Sequence, residues 1–174
     1  RDWLRATSFM TVREIRLFGD PVLKSPCDPI KDFGPKTHAL IEDLIDTTKV
    51  PGRAGVAANQ IGISLRAFSY NVAGKVGYLI NPKNLVLKGE PILVEEGCLS
   101  VPGNWHLTTR YPEAELTGTQ LDGTQITISG TGLLAQALQH ELDHLDGLLY
   151  LDRLTQEERK EAMKIVRKSD WFMN

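Results

Sequence analysis

The segment QHELDHLDGLLY, residues 139–150, restricts the fold and chemistry of this chain more than any other. In it, His140 and His144 lie four positions apart. Apolar residues around them recur at intervals of three and four, which predicts a helix over residues 131–145. Residues i and i+4 lie above one another on one helix face, so the two imidazoles can bind one metal ion. Glu141 starts the same turn and can reach a water on that ion without binding the ion itself.

A catalytic metal site of this kind requires a third protein ligand and an open coordination position. Where one large class of metalloproteases has a third histidine, this chain has Tyr150. Glu157, Glu158 and Glu161 downstream are candidates, with Glu161 the best placed, although their segment EERKEAMKIVRK is typical of a solvated helix face. Cys98 is the other candidate, because a thiolate binds borderline and soft divalent ions strongly. On the chemistry of the residues alone, these candidates compete.

The bulk properties are those of an ordinary globular protein. The 174 residues, 41% hydrophobic and 24% charged, predict one domain with a sizeable core. We assign this domain to residues 10–174 and interpret residues 1–9, which precede Met10, as leader or added sequence. A net charge of −2 gives no reason to expect nucleic acid or an anionic membrane as a partner. No apolar run approaches the roughly 18 residues that span a bilayer.

The two cysteines, Cys27 and Cys98, are not expected to form a disulfide, because the chain shows no secretory signal. Cys27 lies between two prolines in a predicted loop and is interpreted as a small buried apolar residue. His38 and His106 are given no role in the site and are interpreted as exposed or hydrogen-bonded histidines.

Periodicity along the rest of the chain predicts an α+β fold: small antiparallel β-sheets around the central metal-binding helix, with one packing helix in the N-terminal half and one at the C-terminus. Asp122-Gly123 predicts a hairpin turn between two strands. Thr155, followed three residues later by Glu158, predicts the start of the C-terminal helix. The predicted helices are 36–49, 131–145 and 155–168, and the predicted strands are 66–72, 76–80, 84–88, 113–120 and 124–129.

Three short segments together resemble the signature motifs of the peptide deformylases of bacterial type. They are GVAANQ (55–60), EGCLS (96–100) and QHELDH (139–144), and the opening RLFGDPVL resembles that family's N-terminal segment. The resemblance runs from about residue 12 to 168, with the motifs in the expected order. It implies a hydrolase that removes the N-terminal formyl group from the formyl-methionine of newly synthesised polypeptides and releases formate.

The resemblance also implies a ligand set and a metal. Cys98, His140 and His144 are the metal ligands that it indicates, with the fourth position left for water. The ion expected natively is Fe²⁺, with Zn²⁺ or Ni²⁺ possible in purified protein, because a thiolate and two imidazoles suit all three ions. The two rival hypotheses are a metalloprotease with Glu161 as third ligand and a structural zinc module closed by a fourth protein ligand.

The catalytic roles follow from the same resemblance. Water activated by the metal attacks the formyl carbon, with Glu141 as general base and then general acid. The side-chain amide of Gln60 and the backbone N–H of Leu99 are the implied donors to the oxyanion. Gly55 and Gly97 are the implied substrate-binding positions, where a Cβ would obstruct an extended peptide that pairs with the enzyme backbone.

Three residues depart from the family's pattern. Arg53 stands where the glycine motif normally begins with another glycine, Trp105 stands where a basic residue often follows the cysteine motif, and Gln136 replaces a commonly apolar residue on the metal helix. None of them is an implied ligand, base or oxyanion donor. We expect Arg53 and Trp105 to alter the rim of the cleft, where the residues after methionine bind.

The implied partner is the N-formyl-methionyl end of a nascent chain, which brings the protein transiently close to the ribosome. Neither nucleic acid nor a membrane is expected as a specific partner. A monomer is expected, and because formyl-methionine initiation occurs in bacteria and organelles, the bacterial cytoplasm is the expected location.

Overall fold

The computed structural model describes residues 12–173 of the chain. The interpretation of residues 1–9 as leader or added sequence lies outside this range. Within it, the chain forms α1 (Pro35–Thr48), β1 (Gly55–Ala57), β2 (Ala67–Val72), β3 (Lys75–Lys88), β4 (Ile92–Gly97), β5 (Trp105–Arg110), β6 (Glu113–Thr119), β7 (Gln125–Thr131), α2 (Gly132–Leu145) and α3 (Gln156–Lys168), with short 3-10 turns at Pro21–Lys24, Ala58–Ile61 and Tyr150–Arg153.

The strands form two antiparallel sheets. Five strands pair in the order β1-β2-β3-β6-β7, and β4 and β5 form a separate two-stranded sheet. Strand β1 is therefore an edge strand, and β4 is paired on one side only within residues 12–173. Both unpaired edges flank the site described below.

Helix α2 lies at the centre of the fold and packs against the large sheet through buried residues. Its Leu138 and Leu145 share a core cluster with Phe68, Leu79 and Leu116 from the strands. Helix α1 covers a second cluster through residues such as Ile41 and Leu44, and α3 closes a third with residues such as Ala162 and Val166. The predicted α+β class, with a central helix and two packing helices, is confirmed.

The predicted helices and hairpin agree with the structure closely. The three long helices begin and end within one or two residues of their predicted bounds, and Thr155 caps α3 by accepting a hydrogen bond from the Glu158 N–H at 3.2 Å. Asp122-Gly123 forms the turn between β6 and β7, with Gly123 at φ 85°. No helix among the described residues is both long and apolar enough to cross a membrane.

The strand predictions were less complete. The stretches 76–80 and 84–88 are parts of one strand, β3, whose pairing with β6 shifts register between Ile80 and Val86. Asn81 and Asn84 take positive φ there, which asparagine tolerates better than most residues, so the chain bends without leaving the sheet. Strands β1, β4 and β5 were not predicted.

Candidate metal centre and active site

Two elements bring the predicted ligands together. Cys98 directly follows the last residue of β4, and His140 and His144 lie one turn apart on α2. His144 Nε2 is 3.2 Å from His140 Nε2 and 3.3 Å from Cys98 Sγ. The three ligand atoms all lie within 4.8 Å of one another, and His144 is fully buried.

These three residues fit a divalent ion. In a tetrahedral site with Zn–N and Zn–S bonds of ordinary length, neighbouring ligand atoms are about 3.3–3.6 Å apart, close to the separations seen here. Two imidazoles and a thiolate suit Zn²⁺, Ni²⁺ or Fe²⁺ rather than Mg²⁺ or Ca²⁺, which prefer oxygen. Within the described part of the chain the group has three members, so an ion held by it keeps a position for another ligand.

Glu96 fixes the orientation of His140. Its Oε2 lies 2.8 Å from His140 Nδ1, and Arg110 holds the carboxylate with Nε–Oε1 at 2.9 Å and Nη2–Oε2 at 2.6 Å. Burial alone would raise the pKa of Glu96, but the hydrogen bonds from Arg110 and His140 outweigh it and lower the pKa to about 2. The ionised carboxylate only accepts hydrogen bonds, so His140 donates from Nδ1 and turns the lone pair of Nε2 toward the other ligands.

The same network continues to the surface. Arg110 Nη1 donates to Asp143 Oδ2 at 2.8 Å, and Arg153 holds the other side of that carboxylate, with Nη2–Oδ1 at 2.8 Å. Glu96, Arg110 and Asp143 are all buried, so their charges compensate one another in a region of low polarity. Strands β4 and β5 are thereby tied to α2 behind the metal ligands.

His144 is positioned in another way. Its carbonyl oxygen accepts a hydrogen bond from Asn59 Nδ2 at 2.6 Å, which ties the 3-10 turn after β1 to the metal helix. Its buried Nδ1 makes no hydrogen bond within residues 12–173. The backbone of α2 and the surrounding packing therefore set the direction of this imidazole.

The carboxylate of Glu141 is buried beside the predicted ligands, and one of its oxygens makes no hydrogen bond to the described residues. The residue is 2% exposed, its Oε1 lies 3.8 Å from His140 Nε2, and its Oε2 has no hydrogen-bond partner among the described residues. Burial raises the pKa of Glu141 to about 7 in the absence of a metal. Buried polar atoms are almost always hydrogen-bonded, so Oε2 offers an acceptor to a group bound beside the ligands.

The side-chain amide of Gln60 directs its N–H toward Cys98. Its Oε1 accepts from the Ala57 N–H at 3.0 Å, so the amide orientation is fixed, and Nε2 lies 3.1 Å from Ser100 Oγ and 3.7 Å from Cys98 Sγ. Leu99 follows Cys98 directly. The side chain of Gln60 and the backbone at Leu99 therefore flank the sulfur.

A cleft of about 690 Å³ leads to this group. The unpaired edge of β1 contributes Gly55, the end of β4 contributes Gly97, and α2 forms the floor. A Cβ at Gly55 would lie 3.0 Å from Glu141 Cδ, and a Cβ at Gly97 would lie 2.6 Å from Trp105 Nε1. The other lining residues are Gly52, Arg53, Ala54, Gln60, Glu95, Glu96, Cys98, Leu99, Pro102, Gly103, Trp105, Leu133, Gln136, Ala137, His140 and Glu141.

Residues 12–160 match the family model described as polypeptide deformylase. The chain belongs to the polypeptide deformylase family. The match covers the three motif segments, the metal helix and all of the lining residues of the cleft.

Deformylases from several bacteria are similar to the chain over most of its length. It is 48% identical to the peptide deformylase of Acidothermus cellulolyticus, covering 93% of this chain and 89% of that protein, and 44% identical to peptide deformylase 1 of Corynebacterium efficiens, covering 94% and 99%. The fold is similar to the crystal structure of a peptide deformylase from Legionella pneumophila, with a TM-score of 0.82 and 34% identity over 88% of this chain and 92% of that one.

The structure places all three departures from the deformylase pattern on the cleft. Arg53 donates from Nη1 to the Thr47 carbonyl at 2.9 Å, so it caps the C-terminal end of α1 as well as lining the rim. Gln136 donates from Nε2 to Glu95 O at 3.1 Å and to Glu96 Oε1 at 3.2 Å, which satisfies its amide N–H groups against β4. Trp105 lies across Gly97 and is 63% exposed.

The rival ligand assignments do not fit this deformylase-family site. Glu161 lies on the exposed side of α3 and pairs with Lys164 at 3.1 Å, outside the ligand group. Tyr150 is buried beside the Cys98, His140 and His144 group. Its ring centroid lies 6.4 Å from that of His140, and its hydroxyl donates to Asn104 O at 3.3 Å. A carboxylate third ligand therefore finds no support among the described residues, and Cys98 stays the predicted ligand.

The cysteine and the two histidines that were given no role in the site all lie outside the Cys98, His140 and His144 group. Cys27 is buried in the core and unpaired, and His38 is exposed. His106 is buried and hydrogen-bonded on both sides, to Glu158 Oε2 and to Asn104 Oδ1, each at 3.1 Å.

Sequence analysis missed the residues that support the ligands, chiefly Glu96, Arg110, Asp143 and Asn59. Glu96 and Asp143 lie inside the quoted motifs, so their proximity to Cys98 and His144 was the available signal. Arg110 had no local signal, because its two carboxylate partners are 14 and 33 residues away.

Proposed function

We propose that this protein is a metal-dependent hydrolase that removes the N-terminal formyl group from the formyl-methionine of newly synthesised polypeptides and releases formate. The observation that carries the proposal is the buried carboxylate of Glu141, whose Oε2 has no hydrogen-bond partner among the described residues, beside the Cys98, His140 and His144 group at the floor of a cleft. Membership of the deformylase family identifies the bond that such a site acts on.

We assign Cys98, His140 and His144 as the metal ligands. The ion, when bound, supplies Lewis-acid chemistry that lowers the pKa of water and polarises the formyl carbonyl. Fe²⁺ is the proposed ion in the cell. Since the order of affinity favours Ni²⁺ and Zn²⁺ over Fe²⁺ for such ligands, either can occupy the site after purification in air.

Glu141 transfers the protons. As a carboxylate it takes a proton from the attacking water, whose oxygen adds to the formyl carbon. The same carboxyl group then gives a proton to the amine nitrogen as the C–N bond breaks, so formate and a free amino terminus leave. The position of Glu141 suits both steps, because its buried carboxylate lies beside the proposed ligands, with Oε1 3.8 Å from His140 Nε2.

Gln60 and Leu99 stabilise the negative charge that develops on the former formyl oxygen. Nε2 of Gln60 is held toward Cys98 by the anchored Oε1, and the Leu99 N–H follows the cysteine in sequence. Donors fixed in advance near the developing charge are worth about 3 kcal/mol each, because no reorganisation is needed during the reaction.

The substrate enters as an extended peptide between the free edges of β1 and β4. Gly55 and Gly97 lie on these edges and leave the backbone accessible. Main-chain hydrogen bonds to both edges then hold the peptide independently of its sequence, as in other cases of strand addition. A nascent chain is accessible in this form as it leaves the ribosome. We place the protein, as a monomer acting near ribosomes, in the bacterial cytoplasm.

Formate release tests the proposal. Anaerobically purified, iron-loaded protein is incubated with formyl-Met-Ala-Ser, with acetyl-Met-Ala-Ser as the matched control, and both formate and internal cleavage are measured. The proposal predicts formate from the formyl peptide, no acetate from the control and no internal cleavage. Internal cleavage without formate would identify a protease and contradict the proposal.

A further inference from the structure

The outer face of the small β4–β5 sheet exposes the apolar side chains of Leu93, Trp105 and Leu107 and lies next to the cleft. In β5, exposed and buried residues alternate strictly, with Trp105 and Leu107 exposed and His106 and Thr108 buried. Trp105 is 63% exposed and Leu107 is 50% exposed. Of these two, Trp105 alone lines the cleft.

Cross-strand pairing directs the indole toward the cleft. Trp105 pairs with Gly97, which has no side chain, and the Nε1 and Cδ1 edge of the ring lies 2.6 and 2.8 Å from where a Cβ of Gly97 would be. The ring therefore extends across β4 toward its unpaired edge. This is the edge along which the proposed function places the substrate.

The two faces of β4 differ in what they offer that substrate. The inner face carries Glu96 and packs against α2, where Leu133 and Ala137 line the cleft and provide apolar surface near the metal ligands. The formyl group of the substrate must lie at the proposed ligands. The methionine side chain then fits the apolar surface on this inner side. Successive side chains of an extended peptide point to opposite faces, so the second residue points to the outer face, where the indole lies.

We propose that Trp105 is a specificity-determining residue that favours an apolar or aromatic side chain at the second position of the substrate. This inference rests on the proposed function. The charged side chains at the mouth do not favour a substrate of one charge, because half-buried Arg53 and exposed Glu95 carry opposite charges and both line the cleft. Contact with the exposed indole removes apolar surface from water on both partners.

The test compares formyl-Met-X-Ser peptides in which X is Ala, Phe, Glu or Lys. Formate release gives kcat and KM for the wild type, Trp105→Ala, Trp105→Phe and Leu107→Ala, where Leu107 is the matched control on the same strand and face but outside the cleft. For the wild type and the Leu107 variant we expect KM to be about fivefold lower with Phe than with Ala, as for a typical aromatic pair, and similar kcat values. Glu and Lys should give equal KM values.

The two variants at Trp105 test whether its indole causes the preference for Phe at the second position. Trp105→Ala should abolish the preference for Phe, and Trp105→Phe should restore part of it. A second readout is the tryptophan fluorescence during titration with the product-like peptide Met-Phe-Ser, which should change in the wild type and lose that change in Trp105→Ala.

The outcomes separate this inference from the proposed function. An enzyme that releases formate from formyl-Met-Ala-Ser but shows no preference for Phe overturns the inference alone. A preference that survives in Trp105→Ala does the same. Absence of formate with every peptide overturns the proposed function and the inference together.

Discussion

At the scale of single residues, Gly55 shows how the fold makes room for the proposed base. Its backbone lies so close to Glu141 that a Cβ would be 3.0 Å from both Cγ and Cδ of that side chain and 3.1 Å from Ser69 O. The sequence suggested a different reason for this glycine, namely access of the substrate backbone. The structure adds a second reason, because a Cβ at this position would collide with the side chain of Glu141.

Gly55→Ala should therefore displace the Glu141 carboxylate. We expect kcat for formate release to fall at least about tenfold, because small displacements of a catalytic group cost that much or more, and KM to rise as well, because the added Cβ lies on the proposed substrate edge. Metal content should stay at the wild-type level, since the atoms nearest to the added Cβ belong to Glu141 and Ser69 and not to the proposed ligands. Wild-type kcat in this variant would show that the contact with Glu141 does not matter.

At the scale of secondary-structure elements, buried charges join the small sheet to the metal helix. Glu96 on β4, Arg110 on β5 and Asp143 on α2 form ion pairs of 2.6 and 2.8 Å, and Arg153 extends them to the surface. Because each member is needed to compensate a buried charge, the arrangement ties the orientation of His140 to the packing of three elements.

Arg110→Met should leave two buried carboxylates without their shared cation. We expect the free energy of unfolding to fall by about 3–5 kcal/mol and metal affinity to fall about 10- to 100-fold, measured by denaturant unfolding and competition with a chelator. Arg153→Met is the control, since its side chain is 47% exposed and its loss should cost about 1 kcal/mol or less. Equal effects of the two substitutions would contradict this account.

Asp152 ties α3 to the N-terminal part of the chain. It accepts hydrogen bonds from the Leu149 N–H, from Arg159 and from Lys24. Burial alone would raise the pKa of Asp152, but the Leu149 hydrogen bond and the two cations outweigh it and lower the pKa below its usual value. An acid whose pKa is lowered by folding stabilises the protein above its unfolded pKa and loses that contribution as pH falls through the folded pKa.

Asp152→Asn should therefore destabilise the protein at neutral pH by about 1–2 kcal/mol. The difference in the free energy of unfolding between wild type and variant should shrink as pH falls below the unfolded pKa of the carboxyl group. Urea unfolding across a pH series measures it. A difference that is constant with pH would show that the charge of Asp152 contributes nothing.

At the scale of the whole molecule, the sequence predicted the helices and the grouping of Cys98, His140 and His144, but little of what surrounds them. Helices of 13 or 14 residues repeat their apolar pattern often enough to be recognised, as in α2. Strand β1 has three residues and β4 has no regular alternation of apolar and polar residues, so neither has a periodic signal. Arg110 is defined by contacts with distant residues, which no local pattern contains.

In the proposed function, Glu141 moves protons at a metal held by Cys98, His140 and His144. Glu141→Gln tests it most directly, because it preserves the size of the side chain and removes the base. Metal content and formate release from formyl-Met-Ala-Ser are measured on the same iron-loaded sample. We expect wild-type metal content with kcat lower by about 10²- to 10⁴-fold. A metal-loaded variant that releases formate at the wild-type rate would contradict the account.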